Sequence, residues 1–170
     1  MGEKEIKVGM FGGGGVGKTA ITLQFLKGEF TEGYIPTIED QFSKVIDVDG
    51  QAISLIIIDT AGQDDFAEMR FSYYNQVQGF VLVFDITNPS SVDDLKKMYK
   101  DISESVDDVR CVVAANKADM RAVDKDQVPQ EKYKEIENEM KCKVLETSAK
   151  TGSNIQELYT EVIREILSNK

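Results

Sequence analysis

The chain of 170 residues contains no histidine and no tryptophan. Without an imidazole there is no Ser-His-Asp or Cys-His catalysis and no histidine-held zinc. Cysteine is scarce. Cys111 and Cys142 lack metal-ligand spacing, and Cys111 opens the apolar run Cys111-Val112-Val113-Ala114-Ala115. Both are expected to be reduced packing residues of a cytosolic protein. Proline occurs three times, and there is no Pro/Ser-rich linker, low-complexity segment or internal repeat. A single domain over residues 1–170 is therefore expected, and its size suffices for a real core. No signal peptide and no apolar run of membrane-spanning length is found, so a cytoplasmic chain that does not insert into membranes is expected. It closes on Leu167-Ser168-Asn169-Lys170 with neither a prenylatable cysteine nor a basic cluster. Positive charge is also in short supply: 20 Lys and Arg stand against 30 Asp and Glu, a formal charge of −10. Such a surface argues against nucleic acid, and its more acidic first half suits partners with basic faces.

What the chain does have is concentrated in a few short segments. Gly12-Gly13-Gly14-Gly15-Val16-Gly17-Lys18-Thr19 fits G-x-x-x-x-G-K-[ST], with a strand-like run before it (Ile6, Val8, Met10, Phe11) and a helix-like one after it (Ala20, Ile21, Leu23, Phe25, Leu26). Glycines allow the loop to turn successive N–H groups inward, and the following helix adds its positive end, a nest for phosphate oxygens. In that setting Lys18 reaches the β- and γ-phosphates and the Thr19 hydroxyl ligates Mg²⁺. A loose glycine turn is the bland alternative.

A second segment, Leu55-Ile56-Ile57-Ile58-Asp59-Thr60-Ala61-Gly62-Gln63, ends a buried strand in a carboxylate. Parallel strands place their carboxyl ends on one edge, so Asp59 is expected beside the first loop as a Mg²⁺ partner. Gly62 offers a bare N–H to a γ-phosphate. Gln63, uncharged and both donor and acceptor, suits the orienting of a water. Asn116-Lys117-Ala118-Asp119 follows another apolar run. Asp119 can accept from guanine N1–H and the 2-amino group, whereas adenine would leave that carboxylate unmatched. Ser148-Ala149-Lys150 could close the base pocket, with the Ala149 N–H toward guanine O6. Each of the last two is weak alone; order and shared placement make them strong together.

Strand-like runs alternate with helical ones, which predicts an α/β fold whose mainly parallel sheet carries helices on both faces. One antiparallel pair is expected where Phe42–Val48 and Ala52–Ile58 flank Asp49-Gly50. Further strands are expected at Gly79–Ile86, Arg110–Ala115 and Lys143–Glu146. Helices are read at Ser90 or Ser91 (Val92, Leu95, Met98, Tyr99, Ile102), around Tyr133, Ile136 and Met140, and from Asn154, which with Glu157 resembles a capping box.

With these elements in place, the chain resembles a Ras-superfamily small GTPase over nearly its whole length. Tyr34-Ile35-Pro36-Thr37-Ile38-Glu39-Asp40-Gln41-Phe42 is similar to the switch I segment of the Ras and Rap branch, and Glu146-Thr147-Ser148-Ala149-Lys150 also fits. Trafficking relatives usually carry tryptophan where Ile58 stands. The resemblance implies a P-loop GTPase fold, a six-stranded mixed sheet with one antiparallel edge strand and about five helices. It implies GTP/GDP and Mg²⁺ as ligands. Gly14, Gly15, Val16, Gly17, Lys18, Thr19 and Ala20 would cradle the phosphates. Phe30 would pack on the guanine ring, Lys117 on its other side, and Glu32 and Tyr34 would also meet the nucleotide.

By the same resemblance, Thr37 joins Thr19 and Asp59 on the metal, and Gln63, Lys18, Gly62 and Thr37 serve hydrolysis. Switch I would span about 32–42 and switch II about 62–74. The implied partners are an exchange factor, a GTPase-activating protein and effectors with a basic strand that extends the sheet. The implied state is a monomer, and the family is usually tethered by a C-terminal lipid at the cytoplasmic face of the plasma membrane. Gly13, Ile35 and Asp64-Asp65 depart from the usual pattern. Three rival readings stay open here: a P-loop ATPase or small-molecule kinase, a nucleotide-locked scaffold with negligible turnover, and a Rab-like trafficking GTPase.

Overall fold

The computed structural model describes residues 4–12, 16–27, 40–59, 74–120 and 128–168, with the side chains of residues 19, 26, 27, 40, 41 and 59 set aside. Six strands form one sheet: β1 (Lys4–Phe11), β2 (Asp40–Val48), β3 (Gln51–Asp59), β4 (Gly79–Asp85), β5 (Cys111–Asn116) and β6 (Lys143–Glu146), in the order β2-β3-β1-β4-β5-β6. Only β2–β3 is antiparallel; β1 pairs in parallel with both β3 and β4, and β5 with both β4 and β6. The mixed sheet with its antiparallel edge strand is as expected. Against about five expected helices, the described residues contain four α-helices: α1 (Lys18–Lys27), α2 (Ser90–Ser105), α3 (Glu131–Met140) and α4 (Ile155–Leu167).

Local chemistry accounts for the hairpin. Asp49 and Gly50 both take positive φ, 53° and 87°, as a type I′ turn requires, and Asp47 Oδ1 accepts the Gly50 N–H at 2.9 Å. Burial accounts for the rest. Every residue of β4 and β5 is buried, which is why those strands read as continuous apolar runs rather than alternating ones. The sheet separates two apolar layers. On one face Ile21 and Phe25 of α1 and Leu158, Tyr159, Val162 and Ile163 of α4 pack on Val8, Leu55, Val81 and Val112. On the other, Leu95, Met98 and Ile102 of α2 and Ile136 and Met140 of α3 pack on Leu82, Phe84 and Val113.

One sequence expectation is corrected. Asn154 occupies the N-cap position of α4 in a left-handed conformation (φ 59°), but its side chain makes no cap bond. Its amide donates instead to the Glu146 carbonyl at 2.8 Å, holding the end of β6 against the helix start. The capping box fails because the left-handed backbone directs the side chain back to the sheet. The cysteines are buried as packing residues, and Cys111 and Cys142 lie side by side, their Cα atoms 5.6 Å apart. Parallel pairing of Val112 with Lys143 sets the two preceding residues side by side, which sequence spacing could not show.

Arg110 secures the last helix. Its Nη1 donates to the carbonyls of Glu165 (2.7 Å), Ile166 (3.2 Å) and Ser168 at the end of the helix, where carbonyls lack their regular i+4 partners. Arg110→Met keeps the stem and removes the donors. The expected loss is about 2 kcal/mol of unfolding free energy, the scale of hydrogen bonds to a charged group. Urea denaturation measures it, and an unmoved midpoint would show that the clamp contributes nothing.

Candidate functional site

The carboxyl ends of the parallel strands meet on one edge of the sheet. Asp59 is opposite Met10, Phe11 opposite Leu82, Asp85 opposite Asn116 and Glu146 opposite Ala115. The chain leaves β1 toward β2 and β3 on one side, then crosses to β4 on the other. Such a reversal opens a crevice beside the end of β1, where ligands of open α/β sheets bind. The glycine-rich segment emerges there.

Gly12 follows β1 with φ 156°, and a Cβ added to it would collide with the Val83 carbonyl, so the loop leaves the sheet in contact with β4. Lys18, the first residue of α1, is only 2% exposed, and its ammonium donates to the Gly12 carbonyl at 2.6 Å. The Ile21 N–H donates to the Gly17 carbonyl at 2.9 Å, which starts the helix directly behind the lysine. A buried cation at a helix N-terminus reinforces the positive potential there. Gly17 needs its freedom: its φ is 99°, and a Cβ would strike the Asn116 amide.

Asn116 joins the two halves of the site. Its Nδ2 donates to the Val16 carbonyl at 2.8 Å, across 100 residues of sequence, and its Oδ1 accepts from Thr147 Oγ1 at 3.1 Å. It is 1% exposed. Backbone bonds continue the brace: Thr147 N–H to the Ala115 carbonyl (2.9 Å) and Ala118 N–H to the Thr147 carbonyl (3.0 Å). Next to it, Ser148 Oγ donates to Asp119 Oδ1 at 2.7 Å and accepts the Thr151 N–H at 3.1 Å. Asp119 lies in a short 3-10 turn (Ala118–Met120) and is half-buried, one carboxylate oxygen engaged by the serine. Lys117 has φ 66°, and its ammonium is 2.9 Å from Asp85 Oδ2. Ala149 is buried and Lys150 exposed in the loop that follows.

Val16, Gly17, Lys18, Asn116, Lys117, Asp119, Ser148 and Ala149 are thus gathered at one edge, with Ala20 half-buried on α1 behind them. Gly14, Gly15, Phe30, Glu32, Tyr34, Thr37, Gly62 and Gln63 lie outside the described residues, as do most of both switch segments. Sequence reasoning missed Asp85 and Thr147. Asp85 carried the same signal that drew attention to Asp59, a carboxylate closing an apolar strand.

The order and spacing of these elements are those of one protein family. A model of the Ras family matches residues 7–168. The chain belongs to the Ras family. It is a small GTPase, a protein that binds GTP and GDP and hydrolyses GTP. No helix among the described residues is long and apolar enough to cross a membrane.

The family typically uses Mg²⁺. Of the three oxygen-bearing residues expected to ligate it, Thr37 lies outside the described residues. Thr19 is the second residue of α1 and Asp59 the last of β3, both on the edge that bears Lys18.

Proposed function

We propose that this GTPase is a switch of the Ras and Rap branch that hydrolyses GTP slowly and signals through two loops, about 32–42 and about 62–74. The observation that carries the reading is the Asn116 brace. A side chain that bonds Val16 and Thr147 together couples the phosphate loop to the base pocket, so one ligand bearing both a phosphate chain and a purine satisfies the whole edge. Lys18 and the loop amides hold the phosphates, Gly62 donates its N–H to the γ-phosphate, and Gln63 orients the attacking water. Thr37 closes over the triphosphate and releases after hydrolysis, which makes the loops report the nucleotide state. Mg²⁺, when bound by Thr19, Thr37 and Asp59, neutralises phosphate charge.

Residues 19–62 contain no arginine, so none in the first switch can act in cis. An activating protein supplies one, and turnover without it is slow. Effectors present a basic strand to β2, the open edge of the sheet next to the acidic Glu39 and Asp40. The test is direct. Denaturing the purified protein should release a guanine nucleotide, and calorimetry in millimolar Mg²⁺ should favour GDP over ADP by orders of magnitude. Single-turnover GTP hydrolysis should run at about 10⁻⁴ s⁻¹, the intrinsic rate typical of the family. Equal affinity for ADP would refute the base assignment, and absence of any turnover would leave a scaffold.

A further inference from the structure

Asp85 ends β4, a strand otherwise wholly apolar, and is itself only 6% exposed. A buried carboxylate must be matched by donors or cations. Three groups converge on it. Thr87 donates its backbone N–H (2.8 Å) and its hydroxyl (2.6 Å) to Oδ1, and the Lys117 ammonium lies 2.9 Å from Oδ2. Strand pairing brings this about: Asp85 is opposite Asn116, the residue before Lys117, and the Ile86 N–H donates to the Asn116 carbonyl at 3.1 Å. Lys117 itself sits in the left-handed region, which residues with a Cβ seldom enter. Its turn is closed on the other side by the Met120 N–H, 2.9 Å from the Lys117 carbonyl. With the ammonium held at the end of β4, the lysine side chain is still 38% exposed. A lysine tethered at its tip has an apolar stem of fixed direction.

We propose that Asp85 is a positioning residue for the nucleotide base: it anchors the Lys117 ammonium so that the lysine methylenes form a fixed shelf for one purine face. The inference rests on the reading of Lys117 as a base contact. Shelf and edge recognition then divide the labour. Asp119, held by Ser148, reads the hydrogen-bonding edge, while Asp85 acts at a distance by removing the freedom of the side chain beneath the ring.

The experiment is a double-mutant cycle on nucleotide dissociation, followed with a fluorescent GDP analogue displaced by excess GDP. Asp85→Asn keeps the volume and removes the charge, and should speed dissociation about tenfold. In a Lys117→Ala background the same change should add nothing, because there is no ammonium left to anchor. Thr87→Val leaves the carboxylate and the backbone N–H bond in place but removes the hydroxyl bond to Oδ1, and should speed dissociation about threefold, again only while Lys117 is present. A purely structural role for Asp85 would give multiplying effects in the cycle, and that result overturns the inference. So does an unchanged dissociation rate in Asp85→Asn and Thr87→Val. If Asp85→Asn does not fold, the Thr87→Val cycle decides the matter by the same two criteria. The failure of the underlying reading looks different: wild-type protein would then hold no GDP at all, or Lys117→Ala would release it no faster.

Discussion

Asp119→Asn is expected to lower affinity for guanine nucleotides by about 10⁴-fold and to make xanthine nucleotides the better ligands. The size follows from the rule that a site built to hydrogen-bond one edge pays heavily when that edge is mismatched. The carboxylate presents acceptors to two guanine donors, and asparagine would bring an amino group against one of them. Xanthine has a carbonyl at that position and restores the match. The geometry sharpens the expectation. Ser148 Oγ already accepts the Thr151 N–H, so its single proton goes to Asp119 Oδ1. In the variant the asparagine carbonyl would keep that serine bond, which leaves the amino group as the atom turned to the base. Competition binding with GDP, XDP and ADP measures the exchange. If the variant still prefers GDP, another residue reads the base.

Gly17→Ala is the other substitution with a large expected effect, and it acts without touching any reacting group. Alanine would have to adopt φ 99° and its Cβ would collide with the Asn116 amide. The backbone cost is on the order of 1–3 kcal/mol, and displacement of Asn116 adds the loss of a buried hydrogen bond of about 1–3 kcal/mol. At about 1.4 kcal/mol per tenfold, nucleotide affinity should fall by about 100-fold or more. The protein should still fold, since Gly17 and Asn116 themselves belong to neither apolar layer. Calorimetry with GDP, accompanied by circular dichroism, separates the two effects. A variant that binds GDP normally would show that the loop can relax away from Asn116. The Asn116 brace would then lose its coupling role.

The two predictions draw on opposite kinds of information. The motif around Asp119 was legible in the sequence because it is four consecutive residues after an apolar run; its reading of the base is proposed from residue type. Gly17 was legible as a loop glycine, but the reason it must be glycine lies 99 residues further along, in the Asn116 amide. The hairpin at Asp49-Gly50 was legible for the same reason as Asp119: the turn depends on adjacent residues alone. The capping-box reading of Asn154 went wrong where a bond donated to the Glu146 carbonyl took the place of one accepted from a local backbone N–H. Arg110 offered no signal at all, since the helix carbonyls it clamps lie 55 or more residues away.

By itself, the order of residues determined the alternation of strands and helices, the hairpin turn at Asp49-Gly50, and the sequence of motifs at strand ends. Those properties depend on periodicity and on backbone freedom, both of which are local. Tertiary structure alone decided which of the strand ends touch: Asn116 with Val16, Asp85 with Lys117, Cys111 with Cys142. Each of these pairs joins different strands or a strand and a loop, and their meeting depends on sheet order and register. That order is set by how the two apolar layers bury their area together, a property of the whole chain that no short window of it contains.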